Sequence, residues 1–239
     1  SKKVALDTFT LEFEMGSGKS NPTIYKITDC VVNEVSIDFD IDGIATANWS
    51  GFGSIITEES SMSTATIYEG TAAADTNNFI RNRLTDLTVT ATAAGSITTA
   101  YTLTLTGGNI TISNNMTYLT PETLGIINQP LGHVTGTRSV TGNFTCYLNT
   151  PASGASSADL FEDIIESTSV VTNDFDLTFV IGGTGNSPTL TMNLNTCHLE
   201  VPTHSIDDIV SLETTFHALP TSVDATDEID MIFLGPTVT

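Results

Sequence analysis

The most chemically suggestive motif in the sequence is a row of three carboxylates, Asp38-x-Asp40-x-Asp42, followed by Gly43. This spacing matches the first half of an EF-hand calcium loop, where oxygen ligands at alternate positions coordinate the ion. The second half does not match, because position 12 is Trp49 where a bidentate glutamate is required. The apolar residues that alternate with the carboxylates are typical of a strand. The sequence therefore favours an acidic strand face over a calcium site.

A second candidate site is the group Cys197, His198 and His204, which are residue types that bind zinc. Their spacing matches no common zinc site, and strand alternation sends Cys197 and His198 to opposite faces. The run IGGTGNSP at 181–188 is rich in glycine but lacks a basic residue, so it favours a hairpin turn over a phosphate site. No nucleophile or metalloprotease signature is present. The sequence predicts no metal site, no cofactor and no enzymatic activity.

The composition is strongly acidic, with 7 Lys+Arg against 28 Asp+Glu and a formal net charge of −21. The bases form no cluster beyond Lys2/Lys3 and Arg81/Arg83, so neither nucleic-acid phosphates nor anionic membranes are expected partners. Only 15% of residues are charged and 39% are hydrophobic, which favours a folded domain over disorder. Threonine, a β-branched residue that suits the solvated face of a strand, is the most frequent residue. The composition predicts an all-β protein.

The compartment is indicated by the cysteines and by hydropathy. Cys30, Cys146 and Cys197 are odd in number and widely spaced, which favours reduced thiols in a protein made in the cytosol. No apolar stretch approaches the ~18 residues of a membrane span. The N-terminal sequence predicts no signal peptide.

Period-two alternation is the main structural signal. In VSIDFDID at 35–42, apolar residues occupy one face and Ser or Asp the other. Asp42-Gly43 is a hairpin signal, and ATANWSGFG at 45–53 is a plausible return strand. The sequence thus predicts a long hairpin over 30–53. Residues 54–75 lack sustained periodicity and are predicted as an exposed loop that can include a short strand.

Two short helices are predicted to flank the strands. The stronger one spans 157–166, where Leu160, Phe161, Ile164 and Ile165 form a stripe after the capping box Ser156-x-x-Asp159. The weaker one lies in ADTNNFIRNRLTD at 74–86. Each is followed by strands, so 24–113 and 114–235 can represent a degenerate duplication within one domain spanning 1–239. The repetition of a simple Thr-rich pattern remains an alternative.

The order of these elements resembles the major tail tube proteins of long-tailed, non-contractile (siphovirus-type) bacteriophages. The resemblance rests on the early hairpin ITDCVVNEVSIDFDIDGIATANWSGFG, then SVTGNFTCYLNT, the helix LFEDIIEST, and the strands DFDLTFVI, LTMNLNTCHLEVP and SIDDIVSLETTFHAL. It implies a β-sandwich with a flanking helix whose inner sheets join into a continuous barrel around a lumen. It also implies an N-terminal arm of about 1–23.

The resemblance implies a structural virion protein that stacks in hexameric or pseudo-hexameric rings and conducts the genome during ejection. The implied partners are further copies of the chain and the tail tip, tape measure and tail terminator proteins, with DNA passing without specific binding. The candidates for an acidic lumen are Glu34, Asp38, Asp40, Asp42 and Glu213. The candidates for contacts between rings are Ile55, Ile56 and Met62, because apolar residues on a polar loop need a surface on which to bury.

A different functional class stays open at this point. A β-rich adhesin or carbohydrate-binding module would also be an acidic β protein without catalytic motifs. Such a module concentrates exposed aromatic residues around one pocket, whereas the one Trp and five Tyr of this chain are scattered through the sequence. The sequence therefore favours a tail tube protein over an adhesin or carbohydrate-binding module.

Overall fold

The computed structural model describes eleven stretches of the chain. These are residues 6–16, 23–62, 79–91, 100–119, 130, 132–149, 155–166, 175–185, 188–206, 210–223 and 225–235.

Fifteen strands and two helices lie within these residues. The strands are β1 Phe9–Met15, β2 Thr23–Asp38, β3 Thr46–Phe52, β4 Ile55–Glu59, β5 Asp86–Ala91, β6 Ala100–Leu103, β7 Leu105–Ser113, β8 Thr117–Leu119, β9 Gly132–Val134, β10 Ser139–Tyr147, β11 Phe175–Ile181, β12 Thr189–Leu199, β13 Thr203–Ile206, β14 Val210–Ala218 and β15 Asp230–Leu234. The helices are the α-helix α1 Ser157–Glu166 and a 3-10 helix at Asn82–Leu84. The predicted all-β class with short flanking helices is confirmed.

Thirteen strands form one sheet that folds over on itself. Its main order is β1-β2-β7-β10-β14-β12-β11-β5-β6, and β8 with β9 forms a separate hairpin. The fold-over occurs between β14 and β12, which share only the pairs Cys197↔Ala218, His198↔His217 and Leu199↔Phe216. Beyond these pairs β13 takes the edge of β14, and β15 takes the edge of β12. The result is a sandwich with a front layer, β3-β2-β7-β10-β14-β13, and a back layer, β15-β12-β11-β5-β6.

The core lies between the two layers and is centred on aromatic residues. Phe179 of β11 in the back layer contacts three phenylalanines of the front layer: its ring centroid is 5.4 Å from that of Phe39, 6.4 Å from that of Phe144 and 5.7 Å from that of Phe216. All four side chains are almost fully buried. Such aromatic contacts favour tilted and edge-on geometries, as found here.

The predicted hairpin is confirmed and is longer than expected. β2 has 16 residues, and β3 and β4 together form its return, from Asp38↔Thr46 at one end to Ile24↔Glu59 at the other. The return run is interrupted only at Gly53 and Ser54, where the Ser54 amide donates to the Thr28 carbonyl at 2.9 Å. Part of the predicted loop 54–75 is therefore strand β4, while residues 63–75 lie outside the described part of the chain.

Helix α1 confirms the stronger helix prediction. The capping box forms as expected, since the Asp159 amide donates to Ser156 Oγ at 3.3 Å and the Ser156 amide donates to Asp159 Oδ2 at 2.8 Å. Leu160 is buried in the core, but Ile165 is 55% exposed, so the helix packs through a narrower stripe than predicted. The helix lies against β6 at one side of the sandwich.

The weaker helix prediction is wrong within the described residues 79–86, where only the 3-10 helix Asn82–Leu84 forms. Its boundary residues Arg81 and Thr85 are both extended, and Asp86 already begins β5. Because the chain must be extended where it enters the core strand β5, the apolar stripe at 79–84 does not form a full α-helix.

The two halves proposed for a duplication, 24–113 and 114–235, contribute to both layers. β7 pairs with β10 in the front layer, and β5 pairs with β11 in the back layer. The described halves share one core, and the duplication itself stays a prediction.

Candidate assembly and lumen surfaces

The front layer has one face that points away from the core and is polar throughout. The registers of four neighbouring strands align its side chains in rows. This polar face consists of Glu34, Ser36 and Asp38 on β2, Asn109, Thr111 and Ser113 on β7, Ser139, Thr141, Asn143 and Thr145 on β10, and Glu213, Thr215 and His217 on β14. The alternate residues of the same strands point into the core, as strand geometry requires.

Asp38 is the most firmly held carboxylate on the polar face. Asn109 donates from Nδ2 to Asp38 Oδ1, and Asn48 of β3 donates from Nδ2 to Asp38 Oδ2 at 3.3 Å. Asn109 is fixed in turn, because it also donates to Ser36 Oγ at 2.7 Å and accepts from Thr111 Oγ1 at 3.0 Å. Asp38 is therefore a structural link between β3, β2 and β7 as well as a surface charge.

Positive charge is sparse on the polar face. The Lys and Arg residues in the described part of the chain are Lys26, Arg81, Arg83 and Arg138, and none of them stands at its positions. The face includes one histidine, His217, whose Nε2 lies 3.8 Å from Oε1 of Glu200. Glu34, Asp38 and Glu213 therefore give the face a net negative charge at neutral pH.

The sequence placed Asp40 and Asp42 on the same strand face as Asp38, but β2 ends at Asp38. Asp40 still follows the alternation, because the amides of Phe39 and Ile41 donate to carbonyls of the β7 side at 3.1 and 3.2 Å. Asp42 instead lies in the turn, which closes where the Gly43 amide donates to the Asp40 carbonyl at 3.0 Å. Both aspartates are exposed.

The candidate metal ligands do not come together. Among the described residues no group of three or more His, Cys, Asp or Glu side chains is arranged to hold a metal ion. Cys197 points into the core, where burial, with a smaller effect of Asp176, raises the pKa of its thiol to about 12. Burial likewise raises the pKa of Cys146 to about 11. Both thiols are therefore protonated core residues at neutral pH.

These raised pKa values predict a loss of stability in alkali. The unfolded thiols ionise near pH 9 while the folded ones stay protonated, so stability is complete below pH 9 and falls as pH rises toward 11. Each thiol contributes up to about 1.4 kcal/mol per pH unit to this decline. Urea unfolding at pH 7 to 10.5 measures it, and Cys146→Ala should show a shallower pH dependence than the wild type. An equal slope in the two proteins would contradict the prediction.

A second surface is formed by a three-stranded flap beyond the end of the sandwich, made of β1, Thr23–Thr28 of β2, and β4. Register places Leu11, Ile27 and Ile56 side by side, and Phe13, Tyr25 and Glu58 in the next row. The opposite face carries Glu12, Lys26 and Thr57, then Glu14, Ile24 and Glu59. One face of the flap is thus apolar and the other is mainly acidic.

The apolar face of the flap is largely uncovered in the subunit. Leu11, Phe13, Met15 and Ile56 are between 39% and 64% exposed. The face continues into an open groove lined by Phe9, Leu11, Ile27, Cys30, Val31, Val32, Trp49, Ser50, Gly51, Phe52 and Gly53. Exposed apolar patches of this kind mark interaction surfaces.

The three predicted contact residues lie in different surroundings. Ile56 is on the apolar face of the flap. Ile55 pairs with Thr28, points to the other side and is half-buried, and Met62 is half-buried beyond the end of β4. Only Ile56 of the three belongs to the uncovered apolar face.

Comparison with known proteins supplies the family. A family model described as phage tail tube protein matches residues 3–226, which is most of the chain. The chain belongs to the phage tail tube protein family. The tail tube protein pb6 of Escherichia phage T5 is 32% identical over 208 residues, which cover 84% of this chain and 44% of pb6. The chain thus spans less than half the length of that relative.

As a tail tube protein, the chain is a structural component of the virion tail and not an enzyme. This confirms the resemblance found in the sequence and rules against the adhesin or carbohydrate-binding alternative. Among the described residues, no helix has the length and apolarity needed to cross a bilayer.

Strand β1 of this tail tube protein, which was not predicted, supplies three of the four exposed residues of the apolar face, Leu11, Phe13 and Met15. The signal is present in FTLEFEM, where Phe9, Leu11, Phe13 and Met15 alternate with Thr10, Glu12 and Glu14. The grouping of Glu34 and Asp38 with Glu213 was also invisible, because it depends on the pairing order β2-β7-β10-β14.

Proposed function

We propose that copies of the chain pair edge to edge into hexameric or pseudo-hexameric rings and that the rings stack into the hollow tail tube. In this arrangement the polar face lines the lumen, and the genome passes along it during ejection. Six single subunits or three doubled ones satisfy the proposal equally. The tail tip, tape measure and tail terminator proteins would cap, fill and end the tube.

The observation that carries this proposal is that, in the described residues, each edge strand of the front layer has a strand partner on one side alone. In the described part of the chain β3 pairs only with β2, and β13 only with β14. Every residue of β3 is exposed, on both faces of the strand. Neither edge strand contains Lys, Arg or Pro, which are the usual guards against edge pairing. Pairing of β3 with β13 of a neighbouring copy would extend the polar face around a ring.

The charge of the polar face supports its use as a lumen wall. The carboxylates that are candidates to face DNA are those of Glu34, Asp38, Asp40 and Glu213. Asp42, in the turn that follows β2, would lie at the end of this row. A wall whose described residues include neither Lys nor Arg offers little counter-charge to phosphates, so DNA gains little by binding to it. At physiological ionic strength the repulsion extends about 8 Å, which is enough to act between a wall and a duplex inside a tube.

The apolar flap supports contacts between rings. Ile55 and Met62 would contribute less than Ile56, because they are already partly covered within the subunit. Burial of exposed apolar area is the main favourable term in protein association, so the flap is the surface on which stacking would gain most.

Electron microscopy of the purified protein at high concentration tests the proposal directly. Stacked rings with a central channel are the expected result. Particles that remain single subunits, and a chain that is absent from assembled virions, would refute it.

Trp49, the one tryptophan in the sequence, reports assembly in solution. It lies on β3 and is 63% exposed in the subunit. Pairing of β3 with another copy should remove its indole from water, shifting the emission to shorter wavelength and reducing quenching by acrylamide. The shift should follow the same concentration dependence as tube formation measured by light scattering. Tubes that form while the emission stays unchanged would show that β3 is not at the contact.

A further inference from the structure

The flap carries carboxylates beside its apolar residues. Glu14, Glu58 and Glu59 form no ion pair with another described residue, whereas Lys26 Nζ lies 3.7 Å from Glu12 Oε1. Glu58 stands in the same row as Phe13 and Tyr25, so it borders the apolar face. The flap therefore presents an apolar surface with unpaired negative charge at its margin, and a partner that fits it is apolar and basic.

One described segment of the chain has this complementary character. We name residues 79–84 the arginine segment. Phe79 and Leu84 are 61% and 51% exposed. Arg81 and Arg83 are two of the four described basic residues, both are exposed, and neither forms an ion pair with another described residue.

The arginine segment is hydrogen-bonded to the turn at the end of β2. The Ala45 amide donates to the Ile80 carbonyl at 3.1 Å, and the Asn82 amide donates to the Gly43 carbonyl at 3.4 Å. Asn82 is itself buried. Ile44, which bridges to Arg81, is 51% exposed and extends the apolar part of the surface.

The flap and the arginine segment lie at opposite ends of β2. The flap includes Thr23–Thr28, and the arginine segment packs on the turn after Asp38. A 16-residue strand is roughly 50 Å long at about 3.3 Å per residue. The two surfaces of one copy therefore cannot meet, and complementarity between them is satisfied only between different copies.

We propose that the flap of one copy docks on the arginine segment of the next copy along the tube. Leu11, Phe13, Met15 and Ile56 would pack on Phe79, Leu84 and Ile44, while Arg81 and Arg83 approach Glu58, the carboxylate that shares the apolar face of the flap. Asp40 and Asp42 lie on the adjacent turn but form no ion pair with either arginine, so both guanidinium groups are available. A head-to-tail contact of this kind repeats without closing, which is what a stack of rings requires. The inference rests on the proposed tube and names the acceptor for its ring-to-ring contact.

Charge reversal tests the pairing. Arg81→Glu with Arg83→Glu should leave single rings but reduce the fraction of protein in tubes by about tenfold or more, because like charges then face each other. Adding Glu58→Arg should restore tubes. Glu162→Arg, an exposed acid on α1, is the matched control and should restore nothing. Circular dichroism and thermal melting verify that each variant is folded.

The outcomes separate this inference from the proposed function. Absence of both rings and tubes from the wild type would overturn the proposed function. Normal tubes from Arg81→Glu with Arg83→Glu would overturn the inference alone, and so would a folded charge-swapped variant that fails to form tubes.

Cross-linking supplies an independent measurement. Glu58→Cys and Arg83→Cys should be joined by a bismaleimide only when the two variants are mixed under tube-forming conditions, since the native cysteines are buried. The expected product is an inter-subunit dimer of the two variants. Its absence from tubes that electron microscopy shows to be intact would overturn the docking.

Discussion

Replacing Trp49 with aspartate is expected to abolish rings and tubes while leaving the subunit folded. The side chain is 63% exposed on an edge strand that is exposed on both faces, so its removal costs the isolated subunit little. Tryptophan at the centre of an interface is the residue type that most often dominates binding energy. Loss of about 2 kcal/mol at each contact would weaken association about thirtyfold, before repulsion by the new charge is counted. Negative-stain microscopy and analytical ultracentrifugation measure the loss.

A matched control separates the interface from the general effect of adding an acid. Val223→Asp introduces the same charge at a residue that is 87% exposed and lies in the turn region between β14 and β15. This variant should assemble normally. If Trp49→Asp still forms tubes at wild-type concentration, β3 is not the ring edge, and the proposed barrel must use another strand.

The presence of a strand was predictable from the sequence wherever one face of that strand is buried. Val35 and Ile37 on β2, and Phe175, Leu177 and Phe179 on β11, alternate with polar residues because each enters the same core. The strands expected from SVTGNFTCYLNT, DFDLTFVI and LTMNLNTCHLEVP all form, as β10, β11 and β12. When one face of a strand is buried, apolar and polar residues alternate along it. This alternation is visible in the sequence even when the neighbouring strands in the sheet are unknown.

The end of β2 was not predictable by the same means. Phe39 is buried as the alternation requires, yet the regular strand stops at Asp38 because the chain begins its turn toward Gly43. The alternation of apolar and acidic residues continues to Asp42, although the regular strand ends at Asp38. The alternation therefore predicted a strand position for Asp42, which lies in the turn instead. Periodicity records which side chains are buried, and hydrogen bonding decides where a strand stops.

The candidate surfaces were less accessible to sequence analysis than the fold. Glu34 and Asp38 come from β2 and Glu213 comes from β14, and two intervening strands must pair in the right order before these carboxylates share a face. The flap was hidden for a different reason. β1 is short and exposed on both faces, so it resembles a polar terminal segment until its pairing with β2 is known.

Placing lysine on the polar face is expected to slow genome ejection without preventing assembly. Glu34→Lys with Glu213→Lys converts two surface acids to bases, while Asp38 is left in place because Asn48 and Asn109 bind its carboxylate. Each lysine would offer a counter-charge to passing phosphates, and every ring of the proposed tube would repeat the contact. Ejection should slow by about tenfold or more at low salt and recover as salt is raised, because phosphate contacts weaken steeply with ionic strength. Release of DNA from triggered virions, followed by a fluorescent dye, measures the rate.

The comparison that decides the position of the lumen uses the same change of charge elsewhere on the subunit. Glu162→Lys with Asp230→Lys adds the same net charge at exposed residues of α1 and β15, which lie away from the polar face. If the polar face lines the lumen, only the first pair slows ejection and only its effect depends on salt. If both pairs slow ejection equally, the effect follows the total charge of the tube. If the second pair alone does so, DNA passes on the opposite side of the sandwich. Because α1 lies against β6 and β15 pairs with β12, both in the back layer, the second pair stands outside the polar face of the front layer. The two pairs therefore distinguish which surface of the subunit faces the DNA.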